Sequence, residues 1–406
     1  MWKKLICSIA IISLICVNLN IVIADDEDND SINLAEIIEV ANMQDDELKI
    51  NSRIAVAYDR TSGTVIWGKD ENKKTAMAST TKIMTAIVAI ENSNLKDIVT
   101  VSQKAAGTGG SRLKIKANDK ISMNDLLYGL MLVSGNDAAV AIAEHVGGSV
   151  EGFAELMNNK ANELGLQNTH FVTPHGLDNP KHYTTAVELA KIADYALKNQ
   201  TFAQMVGTKS TTININGYSK KIANTNELLG ILNGVTGVKT GFTNNAGRCL
   251  VTSVNRNGFE IITVVLQADT KKIRTADSIK LIEYVYKNYE QVNLEAIVDE
   301  QFENWCLINK KKIIINKCKN NNLDLYTSKL KNKLIPVMKT NIDNIQIDIS
   351  NVYYIEAPLK ENNILGTVKI ICDNNVIDVL EIKNKHKIEK KDVVDYMQTF
   401  FLFFTS

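Results

Sequence analysis

The sequence predicts an α+β fold in two domains. Three observations support it: a strand, turn and strand near residue 54, nearly all-apolar helical segments between residues 122 and 147, and short alternating runs after residue 292. With 406 residues, 45% of them hydrophobic, the chain is long enough for two cores. The 46 basic and 46 acidic residues cancel, so we expect no nucleic-acid partner.

Residues 1–24 have the pattern of a secretory signal peptide. Lys3 and Lys4 precede the apolar run LICSIAIISLICV, and a small residue, Ala24, ends the segment. An uncleaved anchor helix is the alternative, although the apolar run is short for a bilayer span. We therefore expect an exported protein. Residues 25–48 are acidic and predict a solvated leader containing a short helix.

The cysteines do not form a metal-binding pattern. Two of the six would leave with the signal, and the other four are widely scattered without a CxxC pair: Cys249, Cys306, Cys318 and Cys372. Disulfides are allowed in an exported protein, but we expect none that is essential to the chemistry. We expect no metal site.

The first folded domain is predicted over residues 49–292. It opens with IAVAYD, a turn at Thr61-Ser62-Gly63, and TVIWG, which together predict a hairpin. The stretch MASTTKIMTA, residues 77–86, follows with apolar residues at helical spacing. Ser79 and Lys82 are three positions apart and can therefore touch on one helix face. A desolvated lysine beside a serine can act as its base. Alternatively, Ser79 only caps the helix and Lys82 is solvated.

Two further short motifs lie in suggestive places. Ser134-Gly135-Asn136 interrupts two apolar helices, and the alternative for it is an ordinary turn between them. Lys239-Thr240-Gly241 lies on the first of three predicted antiparallel strands, of which the last two are joined by a turn at Asn257-Gly258. Taken alone, this tripeptide is better explained as exposed strand.

Together, S-x-x-K on a helix, S-G-N in a loop and K-T-G on a strand resemble the motifs of the penicillin-recognising serine enzymes. The sequence is most similar to the D-alanyl-D-alanine carboxypeptidases of the low-molecular-mass penicillin-binding proteins. ELGLQNTHFVTPHGLDNPKHYTTAVELA and NTNELL before GVKTGFT also resemble that family. The resemblance implies a β-lactamase/transpeptidase-like catalytic domain, an antiparallel sheet with helices plus a helical subdomain, and then a small β-sandwich.

The resemblance also implies a role for each motif residue. Ser79 would attack the bond between two terminal D-alanines of a peptidoglycan stem peptide, and Lys82 would take its proton. Lys239 would keep Lys82 neutral by like-charge repulsion. Ser134 would relay a proton to the leaving D-alanine, and Asn136 would bond both Lys82 and the substrate amide.

Substrate binding is implied for a second set of residues: Thr240, Gly241, Phe242 and Arg274. Backbone N–H groups of Ser79 and Phe242 would form an oxyanion hole. Thr240 and Arg274 would hold the terminal carboxylate, although Arg274 could equally be a helix-surface charge. The resemblance further implies β-lactam inhibitors, action in the cell wall or at the outer face of the cytoplasmic membrane, and no cofactor.

Several other functions are compatible with parts of the sequence. A class A β-lactamase shares the three motifs, but the context of Glu163 does not match the lactamase E-x-x-L-N pattern. His170, His175 and His182, with Asp178, could suggest a metal site or a triad, although structural hydrogen bonding of the HGLD loop explains them better. A binding-only pseudoenzyme and an endopeptidase acting on cross-links are the remaining alternatives.

The C-terminal third carries no predicted catalytic group. Residues 293–386 predict a small all-β domain, because short alternating runs are separated by Asn and Asp clusters. Residues 387–406 combine lysines with Val393, Val394, Met397 and four phenylalanines. They predict an amphipathic helix that lies in a membrane interface or, alternatively, docks on the β domain.

Overall fold

The computed structural model describes residues 33–42 and 48–398. The predicted signal peptide, most of the acidic leader and residues 399–406 of the predicted amphipathic segment lie outside the described residues. Within the described ranges, no helix is both long and apolar enough to cross a membrane.

The first domain is built on a five-stranded antiparallel sheet in the order β2-β1-β9-β8-β7, and it also contains a four-stranded sheet in the order β3-β4-β5-β6. The strands are β1 Ile54–Asp59, β2 Thr64–Lys69, β3 Ile98–Thr100, β4 Lys120–Ser122, β5 Ser210–Ile215, β6 Tyr218–Ala223, β7 Val235–Thr243, β8 Gly247–Arg256 and β9 Phe259–Ala268. The predicted first hairpin and the three predicted antiparallel strands are therefore confirmed.

Helices cover both faces of the main sheet. They are α1 Leu34–Asn42, α2 Lys82–Asn92, α3 Gln103–Ala106, α4 Met123–Leu132, α5 Asn136–Gly147, α6 Val150–Glu163, α7 Ala186–Leu197, α8 Gln200–Val206 and α9 Lys271–Asn288. Alternate residues of β1 point to opposite faces, so Ile54 and Val56 enter the core shared with α2, whereas Ala55 and Ala57 face α9. Burial on both faces explains why β1 is almost entirely apolar.

The acidic leader differs from the prediction. Its short helix, α1, is present, but it is not simply solvated, because Ile37 is buried and packs into the core beneath α9. The apolar spacing of Leu34, Ile37 and Ile38 places these residues on one helical face. That face covers apolar surface on α9 which the main sheet does not reach.

The C-terminal domain contains more helix than predicted. It comprises α10 Leu294–Asn309 and strands β10 Tyr289–Asn293, β11 Ile314–Asn316, β12 Leu325–Thr327, β13 Leu334–Met338, β14 Gln346–Asn351, β15 Tyr354–Glu356, β16 Ile364–Cys372 and β17 Asn375–Asn384. The all-β prediction for residues 293–386 is wrong in this respect. The strands β12-β17-β16-β14 form a four-stranded sheet. Val298 and Phe302 of α10 share a core with Val368 and Leu380 of this sheet, so the helix covers one side of the core.

Gly176 fixes the distance between the 170–182 loop and the turn of residues 78–81. It adopts φ +84°, and a Cβ there would lie 1.9 Å from the Ala78 carbonyl oxygen. Gly217 has the same φ, but a Cβ added there would meet no atom within 4 Å. An alanine at Gly217 would therefore cause backbone strain alone, whereas an alanine at Gly176 would cause backbone strain and steric overlap.

We expect Gly217→Ala to lower the free energy of unfolding by about 1 kcal/mol, the cost of left-handed backbone at alanine. Gly176→Ala should lower it by roughly 2 kcal/mol more, because backbone must also move. Urea denaturation of both variants measures the difference. Equal losses would show that the loop is not packed as tightly against the turn as the structure indicates.

Candidate active site

Ser79 lies in a buried 3-10 turn, Ala78–Thr81, that leads directly into α2. Met77 and Thr81 occupy the N-cap positions of this turn and of α2, and the Ser79 hydroxyl contacts Lys82, so the capping alternative for Ser79 is wrong. The turn is tied down by Thr81, whose hydroxyl donates to the Ala78 carbonyl over 2.8 Å. His182 Nε2 lies 2.8 Å from the same hydroxyl oxygen and forms a second hydrogen bond with it. Ser79 is thus presented by backbone that is fixed on two sides.

Lys82 is fully buried, so its solvated alternative is also wrong. Its Nζ lies 2.8 Å from three oxygens: Ser79 Oγ, Asn136 Oδ1 and the His175 carbonyl. Asn136 Oδ1 and the His175 carbonyl oxygen can only accept hydrogen bonds from this amine. A neutral amine has two N–H donors and one lone pair. With both donors given to these acceptors, the lone pair faces the Ser79 hydroxyl.

The surroundings of Lys82 favour that neutral form. Burial lowers its pKa well below the ordinary value because charge is disfavoured away from water, and the positive charge of Lys239 lowers the pKa further. Asp137 acts in the opposite direction, raising the pKa. Desolvation is the largest of these effects. The geometry therefore places the Ser79 hydroxyl beside an amine whose neutral form is favoured.

The K-T-G tripeptide lies on β7, the edge strand of the main sheet, next to the Ala78–Thr81 turn. A Cβ at Gly241 would lie 3.0 Å from the Ser79 nitrogen, so glycine allows the strand to approach this turn closely. Lys239 is buried, and its Nζ donates to the Thr240 carbonyl over 2.9 Å. The Thr240 hydroxyl contacts the Thr225 hydroxyl at 2.8 Å.

The S-G-N tripeptide forms the opposite side of the site. Asn136 Nδ2 donates to the Gly109 carbonyl over 2.7 Å, which fixes the amide so that Oδ1 faces Lys82. Ser134 adopts φ +59° and is buried. Its hydroxyl has no hydrogen-bond partner among the described residues. An unpartnered hydroxyl is costly to bury, so Ser134 would gain free energy from bonding an incoming polar atom.

The remaining predicted substrate-binding residues lie in different environments. Phe242 continues the K-T-G strand, and the Arg248 guanidinium lies 3.8 Å from the centre of its ring. Arg274 is fully buried on α9, so the alternative of a helix-surface charge is wrong. Its Nη2 donates to Glu227, which also accepts from Thr275 Oγ1 over 2.6 Å. Arg274 therefore already holds a carboxylate of the protein.

The histidines of the 170–182 loop serve structure. Burial lowers the pKa values of His175 and His182 to about 3, so both rings are neutral. His182 Nδ1 accepts from the Val172 N–H over 3.0 Å. Asp178 accepts from Thr243 Oγ1 over 2.6 Å rather than pairing with a histidine. The structural explanation of the HGLD loop is confirmed, and the loop carries the carbonyl that holds Lys82.

Two contributors to the site were missed from the sequence. The His175 carbonyl is backbone, so no side-chain pattern points to it. Asp137 is fully buried and accepts from the Leu113 and Ile115 N–H groups over 2.8 and 3.2 Å. An acidic residue at the start of an apolar helix was a signal for such a role, but its partners lie more than 20 positions away.

Comparison with known proteins gives consistent results. Residues 39–270 match the family model described as D-alanyl-D-alanine carboxypeptidase, Peptidase S11. The chain is 31% identical over 358 residues to D-alanyl-D-alanine carboxypeptidase DacF of Bacillus subtilis, covering 87% of this chain and 90% of that protein.

Solved structures with similar folds have related descriptions. The crystal structure of D-alanyl-D-alanine carboxypeptidase DacD from Francisella tularensis matches with a TM-score of 0.68 and 26% identity, over 86% of this chain and 97% of that one. Penicillin binding protein 5 from Haemophilus influenzae matches with a TM-score of 0.68 and 26% identity, over 84% and 98% of the two chains.

Replacing Lys239 tests the electrostatic control of Lys82. Lys239→Gln removes the like charge, so Lys82 should keep its proton to higher pH. The acid limb of the acylation rate at Ser79, measured with a β-lactam across pH, should then move to higher pH. Lys239→Arg is the control: its charge remains, so the limb should stay in place even if the rate falls. An acid limb that stays in place in Lys239→Gln, as it does in the Lys239→Arg control, would contradict this account of the Lys82 pKa.

Proposed function

Since the chain belongs to the D-alanyl-D-alanine carboxypeptidase family, we propose that it removes the terminal D-alanine from peptidoglycan stem peptides through an acyl-enzyme on Ser79. The observation that carries the proposal is the placement of Lys82 Nζ 2.8 Å from Ser79 Oγ, with its other two hydrogen bonds going to fixed acceptors. That arrangement activates a serine without a histidine.

In the proposed acylation, Lys82 takes the Ser79 proton as Oγ attacks the carbonyl between the two D-alanines. Backbone N–H groups of Ser79 and Phe242 would stabilise the oxyanion, an effect of about 3 kcal/mol for a well-aimed donor. The unpartnered Ser134 hydroxyl passes a proton to the leaving nitrogen and is replenished from Lys82. D-Alanine then departs, leaving an ester on Ser79.

Water completes the proposed reaction. It attacks the ester carbonyl, loses a proton to neutral Lys82, and releases the shortened peptide as Ser79 recovers its hydrogen. A β-lactam would acylate Ser79 in the same manner, as the description of the Haemophilus influenzae relative as a penicillin binding protein suggests. Its acyl group stays on the serine, so we propose β-lactams as inhibitors.

The substrate would bind along β7. This strand ends the main sheet, so its outer edge can pair with an extended peptide as an added strand. Thr240 would then hold the terminal carboxylate through its hydroxyl. In contrast to a class A β-lactamase, Glu163 does not provide a water-activating carboxylate: it ends α6, pairs with Lys160 and is 61% exposed in its side chain.

We also propose that the protein acts outside the cytoplasm and contacts the membrane through its C-terminus. Residues 393–398 are helical, and Val393, Val394 and Met397 are 74%, 60% and 54% exposed. These side chains do not dock on the β domain, and lysines precede them. An exposed apolar helix face beside basic residues suits a membrane interface.

The first test measures D-alanine released from a peptide ending in D-Ala-D-Ala by protein lacking residues 1–24. We expect release by the wild type and at least 10³-fold less by Ser79→Ala, because the nucleophile is lost. Ser219→Ala, on an exposed position of β6, should match the wild type. Penicillin acylation without release would instead indicate an endopeptidase or a binding-only protein, and rapid penicillin turnover a β-lactamase.

The second test addresses the membrane. Protein lacking residues 1–24 should co-float with anionic lipid vesicles, whereas protein also lacking residues 393–406 should not. Both forms should release D-alanine from a soluble peptide at equal rates, since this deletion keeps buried Ile388 and its pairing with Leu359. Co-flotation of both forms, or of neither, would refute contact through this segment.

A further inference from the structure

The loop of residues 107–116 forms an outer wall beside the S-G-N tripeptide. Buried and exposed side chains alternate along it: Leu113 and Ile115 are 1% and 4% exposed, whereas Arg112 and Lys114 project into solvent. The apolar side chains anchor the loop, because a Cβ at Gly129 of α4 would meet Leu113 Cδ2 at 2.4 Å. The two cations are thereby presented outward from a packed base.

This wall is tied to the catalytic residues through backbone. The Asn136 N–H donates to the Ser111 carbonyl over 2.8 Å, and Asn136 Nδ2 donates to the Gly109 carbonyl over 2.7 Å. Asn136 in turn holds Lys82, which contacts Ser79. Arg112 is therefore the next residue along the chain from a direct contact of the active site. The backbone at Arg112 is thereby held next to Asn136.

The wall carries positive charge that the protein leaves uncompensated. Lys220 of β6 donates to the Leu113 carbonyl and adds a third cation to Arg112 and Lys114. Across residues 33–42 and 48–398, none of these three makes an ion pair. The nearby Asp137 is fully buried, and its oxygens accept from the N–H groups of Leu113, Ile115 and Ala138. It cannot also serve as their surface counter-ion.

We propose that Arg112, supported by Lys114 and Lys220, forms a subsite for a carboxylate on the side chain of the residue that precedes D-Ala-D-Ala. The inference rests on the proposed function and deepens it, since it concerns the part of the substrate that stays on the enzyme. A peptide paired with β7 has its terminal carboxylate at Thr240. The other edge of that peptide would face the S-G-N side of the cleft, so the side chain of the preceding residue could reach the wall of residues 107–116.

The chemistry of Arg112 suits this ligand. A guanidinium presents a planar fork of N–H donors that matches a carboxylate in a bidentate pair, which a lysine ammonium does not. Because Arg112 is exposed, solvent weakens the pair, and a several-fold preference rather than an absolute requirement is expected. For the same reason the preference should shrink at high ionic strength.

The test uses two acetylated tripeptides, X-D-Ala-D-Ala, that differ by one charge. X is 2,6-diaminopimelate with its side-chain carboxylate free in one peptide and amidated in the other. We expect the wild type to hydrolyse the free-carboxylate peptide with a kcat/KM about five- to tenfold higher. Arg112→Gln should bring that ratio close to one, with the change largely in KM. Lys191→Gln, an equal charge change on α7, should keep the wild-type ratio.

The outcomes distinguish this subsite from the proposed function. Hydrolysis of both peptides at the same kcat/KM by the wild type would overturn the subsite and leave the carboxypeptidase intact. Hydrolysis of neither peptide, with folding verified by circular dichroism, would overturn the proposed function itself. An equal loss on both peptides in Arg112→Gln would show that Arg112 only stabilises the loop, and would also overturn the subsite.

Discussion

The site depends on one constraint: a lysine amine must remain neutral and fully buried beside a serine hydroxyl. Lys82 Nζ lies 2.8 Å from oxygens in three separate parts of the chain: the Ala78–Thr81 turn, the start of α5 and the 170–182 loop. Burying an amine without such partners would cost several kcal/mol. The helical subdomain and the loop must therefore dock correctly before Lys82 can occupy its position.

That requirement accounts for strained backbone around the site. Ala78 and Ser134 both adopt positive φ, at +48° and +59°, although neither is glycine. Residues held in this region cost about 1–3 kcal/mol each and persist only where the surrounding structure holds them. Glycine occurs where backbones meet most closely, at Gly176 against Ala78 and at Gly241 against Ser79. Positive φ also occurs at non-glycine residues elsewhere in the chain, but at Ala78 and Ser134 it belongs to the turn and the loop that flank Lys82.

The sequence was most informative where the physics is local. The first hairpin and the three antiparallel strands follow from periodicity and turn chemistry, and the structure has both. Long-range contacts carried no such signal. The amphipathic pattern of α1 could not reveal that its partner is α9, and α10 lay within a stretch whose composition favoured strands. The His175 carbonyl was hidden for the same reason, since backbone acceptors acquire their role only in the folded chain.

The hydroxyl of Ser134 differs from the amine of Lys82 in its hydrogen bonding: the amine has partners, whereas the hydroxyl has none among the described residues. In the neutral form of Lys82 both donors and the lone pair are assigned, and the Asn136 amide is fixed at both ends. Ser134 alone among these three keeps an unpaired buried hydroxyl, which costs about 1–3 kcal/mol in the free protein. A bound peptide whose scissile nitrogen meets that hydroxyl recovers this energy. Under the proposed function, Ser134 therefore offers a binding interaction that is made only when the scissile amide reaches the site.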